Sequence, residues 1–133
     1  MSHYTGTVIF DKKLTDREVD ALMDELLLPY VEGFGAEDDA FMDYIVHPRE
    51  CAFTFDGGGY RRRLSDIMDD ELEKSSAFLF VDREGRFSEV GADFFHHDRP
   101  DSVAHRRTHA RLRDLLADAD GDLYDVAIFD YHC

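Results

Sequence analysis

The stretch that decides the fold is LYDVAIFDYHC, residues 123–133. Its middle, residues 126–129, is apolar at four successive positions. Successive side chains of a β-strand point to opposite faces, so a run that is apolar throughout needs cover on both faces. The stretch therefore predicts a central strand, with Asp130, His132 and Cys133 at its carboxyl end.

The residues that precede this stretch predict an alternation of strands and helices. Thr15 and Glu18 have the spacing of a capping box, and apolar residues then recur at helical spacing, so a long helix begins there. A second long helix is predicted from Asp101 or Ser102 to about residue 117, and a short one over residues 64–72. Further strands are predicted at residues 5–10, 41–47, 52–56, 77–82 and 86–90, the second and third pairing as a hairpin and the last two joined by a tight turn.

This order, β-α-β-β-α-β-β-α-β, predicts a single α+β domain over residues 1–133. The expected architecture is a ferredoxin-like split βαβ sheet extended by a β-hairpin, with two long helices and one short helix. A fold that is reused so widely does not define a function.

Acidic residues outnumber basic residues by 30 to 15, for a net charge of −15. Nucleic-acid-binding domains are usually basic, so direct binding of nucleic acid is disfavoured. The surplus predicts either a surface that keeps the protein soluble or one that binds a basic protein partner, including a surface that imitates nucleic acid. The composition leaves oligomerisation open.

No apolar run approaches the roughly 20 residues that a membrane-spanning helix needs, and the first residues lack the basic and apolar regions of a signal peptide. We therefore expect a cytoplasmic protein that contacts no membrane. Cys51 and Cys133 belong to no metal-binding or redox motif, so both are expected to be free thiols in a reducing compartment, with a disulfide between them as the alternative.

The last predicted helix is unusually basic for this chain. Residues 99–113 contain five Arg and one acid, a local charge of +4 that leaves −19 on the rest of the chain. Arg107 and Arg111 lie together on one flank of the apolar face, where they are candidate contacts for an anion or a partner. The alternative is that the arginine stems cover the sheet margin while their heads pair with the surplus acids.

A second candidate anion site combines glycine and arginine. Gly58 and Gly59 precede Arg61 and Arg62, just before the predicted short helix. Backbone amides at a helix amino terminus can hold an anion, and neighbouring arginines would reinforce that contact. The alternative is a flexible loop, since the stretch matches neither common phosphate-binding motif.

Histidine and carboxylate residues suggest a divalent metal as the one cofactor. His105 and His109 have the i, i+4 spacing with which two imidazoles can share a metal ion, although Arg106 replaces the glutamate of the HExxH motif. Asp130 and His132 are i, i+2 on a strand and share a face, so they are candidate ligands with the helix pair, as are residues 96–98. The alternative is local hydrogen bonding of partly buried histidines.

Residues 78–87, FLFVDREGRF, combine an apolar strand, an acid–glycine turn and an aromatic return, and residues 130–132 form an Asp-x-His tail. Over residues 77–133 the sequence resembles small uncharacterised proteins of actinobacterial phages and prophages, which have a similar hairpin and tail. It departs from them at residues 94–97, FFHH, where a Trp- and Gly-rich segment is expected, and in its more basic last helix. The resemblance implies an origin more than a mechanism.

The sequence favours an acidic interaction protein that binds a host or defence protein with a basic surface, because it holds no complete catalytic motif. The alternative is a metal-dependent hydrolase or nucleotide-processing enzyme that uses the histidine–aspartate residues. In that case a metal ion would activate water and arginines would hold phosphate. A third interpretation is a structural or oligomeric accessory protein without an active site.

Overall fold

The computed structural model describes residues 3–31, 33, 43–67, 72, 75, 77–90 and 103–132, with side chains for all of these except residues 3, 77, 89, 90 and 103–109. Within this part of the chain, six strands form one mixed sheet that two helices flank. The strands are β1 (His3–Asp11), β2 (Tyr44–Val46), β3 (Arg61–Arg63), β4 (Ala77–Val81), β5 (Phe87–Val90) and β6 (Tyr124–His132). The helices are α1 (Asp16–Leu27) and α2 (Val103–Leu116), and 3₁₀ turns lie at Leu28–Tyr30, Pro48–Glu50 and Leu64–Asp66.

β6 is an interior strand of the sheet, as the sequence predicts. It pairs antiparallel with β1 along its whole length, from Tyr124 opposite Asp11 to His132 opposite His3. Its other edge carries two short strands in succession, β3 beside residues 125–127 and β2 beside residues 130–132. All nine residues of β6 are therefore buried.

Alternate side chains of β6 enter two separate cores. Phe129 and Tyr131 pack with residues of β1 and α1 on one face of the sheet. Val126 and Ile128 pack on the opposite face, in a cluster that includes Leu112 of α2. The sheet is thus the middle layer between the two helices, which explains why the final stretch is apolar at successive positions.

α1 begins where the capping box predicts. The Glu18 amide donates to Thr15 Oγ1 at 3.2 Å, and Glu18 Oε1 accepts from the Thr15 amide at 3.0 Å. These two bonds satisfy amides that the first turn of a helix leaves unpaired. The helix then buries Val19, Met23 and Leu27 against the sheet.

The α+β class is confirmed, with a mixed sheet. β1 and β2 both pair antiparallel with β6, so these two strands, between which α1 lies in the chain, run parallel with a third strand separating them. On its other side β1 has β4 as a direct parallel neighbour, with Val8 opposite Leu79, and β5 lies outside β4 as the second strand of an antiparallel hairpin. The predicted turn of that hairpin is present, and Gly85 adopts a φ of +84°, which favours glycine.

The hairpin predicted from residues 41–47 and 52–56 is wrong. Among the described residues of the first segment only Tyr44–Val46 forms a strand, and residues 52–56 form none. Phe55 is the one buried residue among 52–56, so this segment lacks a continuous face to place on a sheet. The strand that the sequence misses is β3, whose three arginines carry no apolar signal.

The short helix predicted over residues 64–72 is represented in the described chain by the 3₁₀ turn Leu64–Asp66 and by Leu72. Residues 68–71 lie outside the described residues. Leu64, Ile67 and Leu72 are nevertheless buried in the α2-side core, as the predicted apolar face requires.

We expect Gly6→Ala to destabilise the fold strongly, because Gly6 lies directly opposite Phe129. A Cβ atom at residue 6 would stand 2.7 Å from Phe129 Cε1 and closer still to Cζ, a separation that packed carbon atoms do not tolerate. Overpacking of this kind costs roughly 1–3 kcal/mol. Urea denaturation would measure the loss of unfolding free energy.

A double-mutant cycle provides the control. Phe129→Ala alone should cost roughly 3–5 kcal/mol by leaving a cavity, but it also makes room for a methyl group at residue 6. The Gly6→Ala substitution should therefore cost much less in the Phe129→Ala background. Strict additivity of the two costs would contradict the packing described here.

Candidate functional site

Asp130 and His132 lie together on the face of the sheet that α2 covers, as their i, i+2 spacing predicts. They continue the row of Val126 and Ile128, which pack on that face. Asp130 is 6% exposed and His132 is 4% exposed. Two ionisable groups are thus buried side by side at the carboxyl end of the central strand.

The His132 ring is held in place by residues of the neighbouring edge strand. His132 Nδ1 lies 3.3 Å from Asp43 Oδ2, and the Asp43 amide donates to the His132 carbonyl at 2.7 Å. The Tyr44 ring stacks on the imidazole with centroids 4.7 Å apart and planes 14° apart. Sequence reasoning missed Asp43 and Tyr44, because only the pairing of β2 with β6 brings them there.

Cys51 packs into the same core, where it is a buried free thiol. Burial raises the pKa of the Cys51 thiol above its ordinary value, and the charge of Asp130 raises it further. The thiol therefore stays protonated and is a poor nucleophile at neutral pH.

For the two helix residues of the predicted metal site, the structure describes only the backbone. His105 and His109 belong to α2, and their side chains lie outside the described part of the chain, as do residues 96–98. Among the described side chains, no group of three or more His, Cys, Asp or Glu residues is arranged to hold a metal ion. Asp130 and His132 are therefore brought together, while their relation to the two helix histidines stays a prediction.

The arginines of β3 bind carboxylates of the protein itself. Arg61 Nε donates to Asp125 Oδ2 at 2.8 Å, and Arg63 Nε donates to Asp125 Oδ1 at 2.7 Å. Arg61 also reaches Asp16 Oδ1 at 3.2 Å, and its guanidinium stacks 4.8 Å above the ring centre of Phe10. This network fixes β3 to the edge of β6.

The anion-site prediction assumes that the glycine–arginine stretch precedes a helix, and in the structure it does not. Gly58 and Gly59 have φ angles of +91° and +87°, and the turn they form leads into β3. The Gly58 amide donates to the Phe55 carbonyl at 2.8 Å, so that amide is committed to the turn. Arg62 Nη1 donates to the Asp56 carbonyl at 3.1 Å. The arginine segment forms a strand where the prediction has a helix, because Asp125 of β6 binds Arg61 and Arg63.

The basic helix is described in part. Arg111 is exposed on α2, whereas the side chain of Arg107 lies outside the described residues. The predicted proximity of Arg107 and Arg111 therefore stays a prediction.

Comparisons with protein-family models, with curated proteins and with solved structures return no match. In the described part of the chain, neither helix has the length and apolar character needed to cross a membrane.

Asp125→Asn should destabilise the protein by about 3 kcal/mol, because two arginines would lose the carboxylate that neutralises them in a mostly buried setting. Urea denaturation measures this loss. Asp118→Asn, at an exposed aspartate, is the matched control and should be nearly neutral. A neutral Asp125→Asn variant would contradict a structural role for these arginines.

Stability should fall in acid partly through Asp16. The Tyr60 hydroxyl donates to Asp16 Oδ2 at 2.6 Å, and this bond, helped by Arg61, lowers the pKa of Asp16 from 3.8. A lowered folded-state pKa gives stability that is complete above the unfolded pKa and is lost as pH falls through the folded pKa. The unfolding free energy of Asp16→Asn should therefore change less than that of the unmodified protein between neutral pH and about pH 3.

The control for this measurement is Asp114→Asn, at an exposed aspartate of α2. Its stability should follow that of the unmodified protein over the whole pH range. If the Asp16→Asn variant and the unmodified protein lose the same unfolding free energy in acid, Asp16 does not contribute to the acid sensitivity.

Proposed function

We propose that this chain is a non-enzymatic interaction protein of the cytoplasm, encoded by a phage or prophage, that binds a host or defence protein with a basic surface. The observation that carries the proposal is the net charge of −15. Each arginine held by an aspartate cancels one charge of each sign, so internal pairing leaves the surplus of carboxylates unchanged.

This pairing extends beyond β3. Arg49 Nη2 lies 2.6 Å from Asp20 Oδ2, and Arg83 Nε lies 3.0 Å from Asp11 Oδ2. With 30 acids against 15 basic residues, internal pairing leaves a strongly negative surface. Exposed acids of the described chain include Glu25, Glu50, Asp66, Asp114, Asp118 and Asp120.

A negative surface of this kind speeds the association of a positively charged protein, and salt weakens the attraction. A partner that ordinarily binds nucleic acid would supply the matching charge, so the protein would compete with that nucleic acid. The resemblance of residues 77–133 to phage and prophage proteins supports the phage or prophage origin in this proposal, and a host or defence protein is the target that such an origin favours.

The test combines affinity capture with kinetics. The immobilised protein is exposed to a bacterial lysate at low salt, and the association rate of each captured protein is then measured by interferometry at rising ionic strength. We expect a basic captured protein whose association rate falls steeply over the range in which the Debye length shrinks from about 30 Å to about 10 Å.

Two variants sharpen this test. Converting Asp114, Asp118 and Asp120 to Asn should slow association, whereas converting Lys12 and Lys13 to Gln should speed it, because the second change makes the protein more negative. Association rates that change neither with ionic strength nor in these variants would contradict the proposal. A stable oligomer that captures nothing would instead support the accessory-protein interpretation.

A further inference from the structure

We propose that residues 43–50, which contain β2 and the 3₁₀ turn that follows it, form a strap that opens and closes with ionic strength. These residues are called the β2 strap below. At low salt the strap lies against β6 and α1, and at high salt it detaches more often while the rest of the sheet stays folded. The inference rests on contacts within the chain and needs no partner, so it and the proposed function can fail separately.

The β2 strap covers the end of β6 that holds the buried ionisable residues. Its strand pairs with β6 over three residues, from Tyr44 opposite His132 to Val46 opposite Asp130. Among the strands of the described chain, only β2 flanks this end of β6 on its outer edge. Opening of the strap therefore exposes backbone amides and carbonyls of the central strand together with Asp130 and His132.

Hydrophobic packing contributes little to the attachment of the strap. Of residues 43–50, all of which the structure describes, only Pro48 is buried, whereas all nine residues of β6 are. Ile45 and Val46 are partly buried, one at the margin of each core. A segment with few buried apolar contacts opens locally at a lower free energy than the core strands do.

Polar contacts with α1 hold the strap in place. Asp20 and Asp24 are four residues apart on this helix, so they lie in one stripe of its surface. Arg49 Nη2 donates to Asp20 Oδ2 at 2.6 Å, and His47 Nε2 lies 2.7 Å from Asp24 Oδ1. Both strap residues therefore bind carboxylates of the same helix stripe.

These contacts are open to solvent, which makes them sensitive to salt. The Arg49 side chain is 48% exposed and the Asp24 side chain is 41% exposed. Attraction between exposed charges is modest, and added ions screen it. The contact of Arg61 with Asp125 is mostly buried and is screened much less, so β3 should stay in place when the strap opens.

Salt should act on the whole fold in the opposite direction. The chain has a net charge of −15, and repulsion among the surplus carboxylates destabilises the compact state. Added salt screens this repulsion, so it stabilises the folded chain while it weakens the contacts of the strap with α1. A general loosening of the fold would not produce this combination.

The experiment is amide hydrogen exchange of the full chain, followed by NMR at constant pH. The salt concentration rises from about 0.01 M to about 1 M NaCl, over which the Debye length falls from about 30 Å to about 3 Å. Exchange of the strap amides should become about 2- to 5-fold faster, as the loss of one exposed ion pair would produce. Amides that join β1 to β6 should exchange no faster, and urea denaturation should show no loss of global stability.

The deciding variant is Arg49→Gln, with Arg83→Gln as the matched control. Arg83 Nε lies 3.0 Å from Asp11 Oδ2 in a similarly exposed pair outside the strap, and each variant removes one positive charge. Arg49→Gln should speed exchange of the strap amides at low salt by about 2- to 5-fold and should reduce the effect of added salt on them. Arg83→Gln should leave the exchange of the strap unchanged.

Two results would overturn the proposal. One is strap amides whose exchange becomes no faster at high salt, because the strap would then open only with the rest of the sheet. The other is an Arg49→Gln variant in which exchange of the strap matches that of the Arg83→Gln variant, because the contacts with α1 would then not hold the strap.

Discussion

The constraint on which this structure depends is the burial of β6 on both faces and along both edges. A strand in that position must be apolar on two sides, and its backbone groups must find partners on either flank. β1 satisfies one flank over its whole length, whereas the other flank is shared by β2 and β3. The helices then cover the two faces, so every other element is arranged around one nine-residue strand.

β6 also contains polar residues, although the strand is buried on both faces. Asp125 is buried, and it receives two arginines that secure a short edge strand. Asp130 and His132 are buried at the opposite end of the strand, where Asp43 and Tyr44 hold the imidazole. The interior strand thus has one ionic network at its first residues and one buried ionisable pair at its carboxyl end.

Local signals in the sequence predicted the elements that local physics determines. The capping box at Thr15, the turn at Gly85 and the apolar run of β6 all depend on residues close in the chain, and all are confirmed. β3 could not be predicted, since its arginines read as a polar segment until Asp125, 62 residues beyond Arg63, is brought beside them. The shared face of Asp130 and His132 followed from strand periodicity, but their neighbours followed only from the tertiary pairing.

The divided edge of β6 has a consequence for association between chains. A long, flat, unpaired strand would present a continuous ladder of amides and carbonyls to which a second polypeptide could hydrogen-bond. Here the outer rim consists of two three-residue segments interrupted by a loop, and one of them is made of arginines. Short, charged and discontinuous rims discourage strand addition, so this side of the sheet is protected against fibril-like growth even though its central strand is strongly apolar.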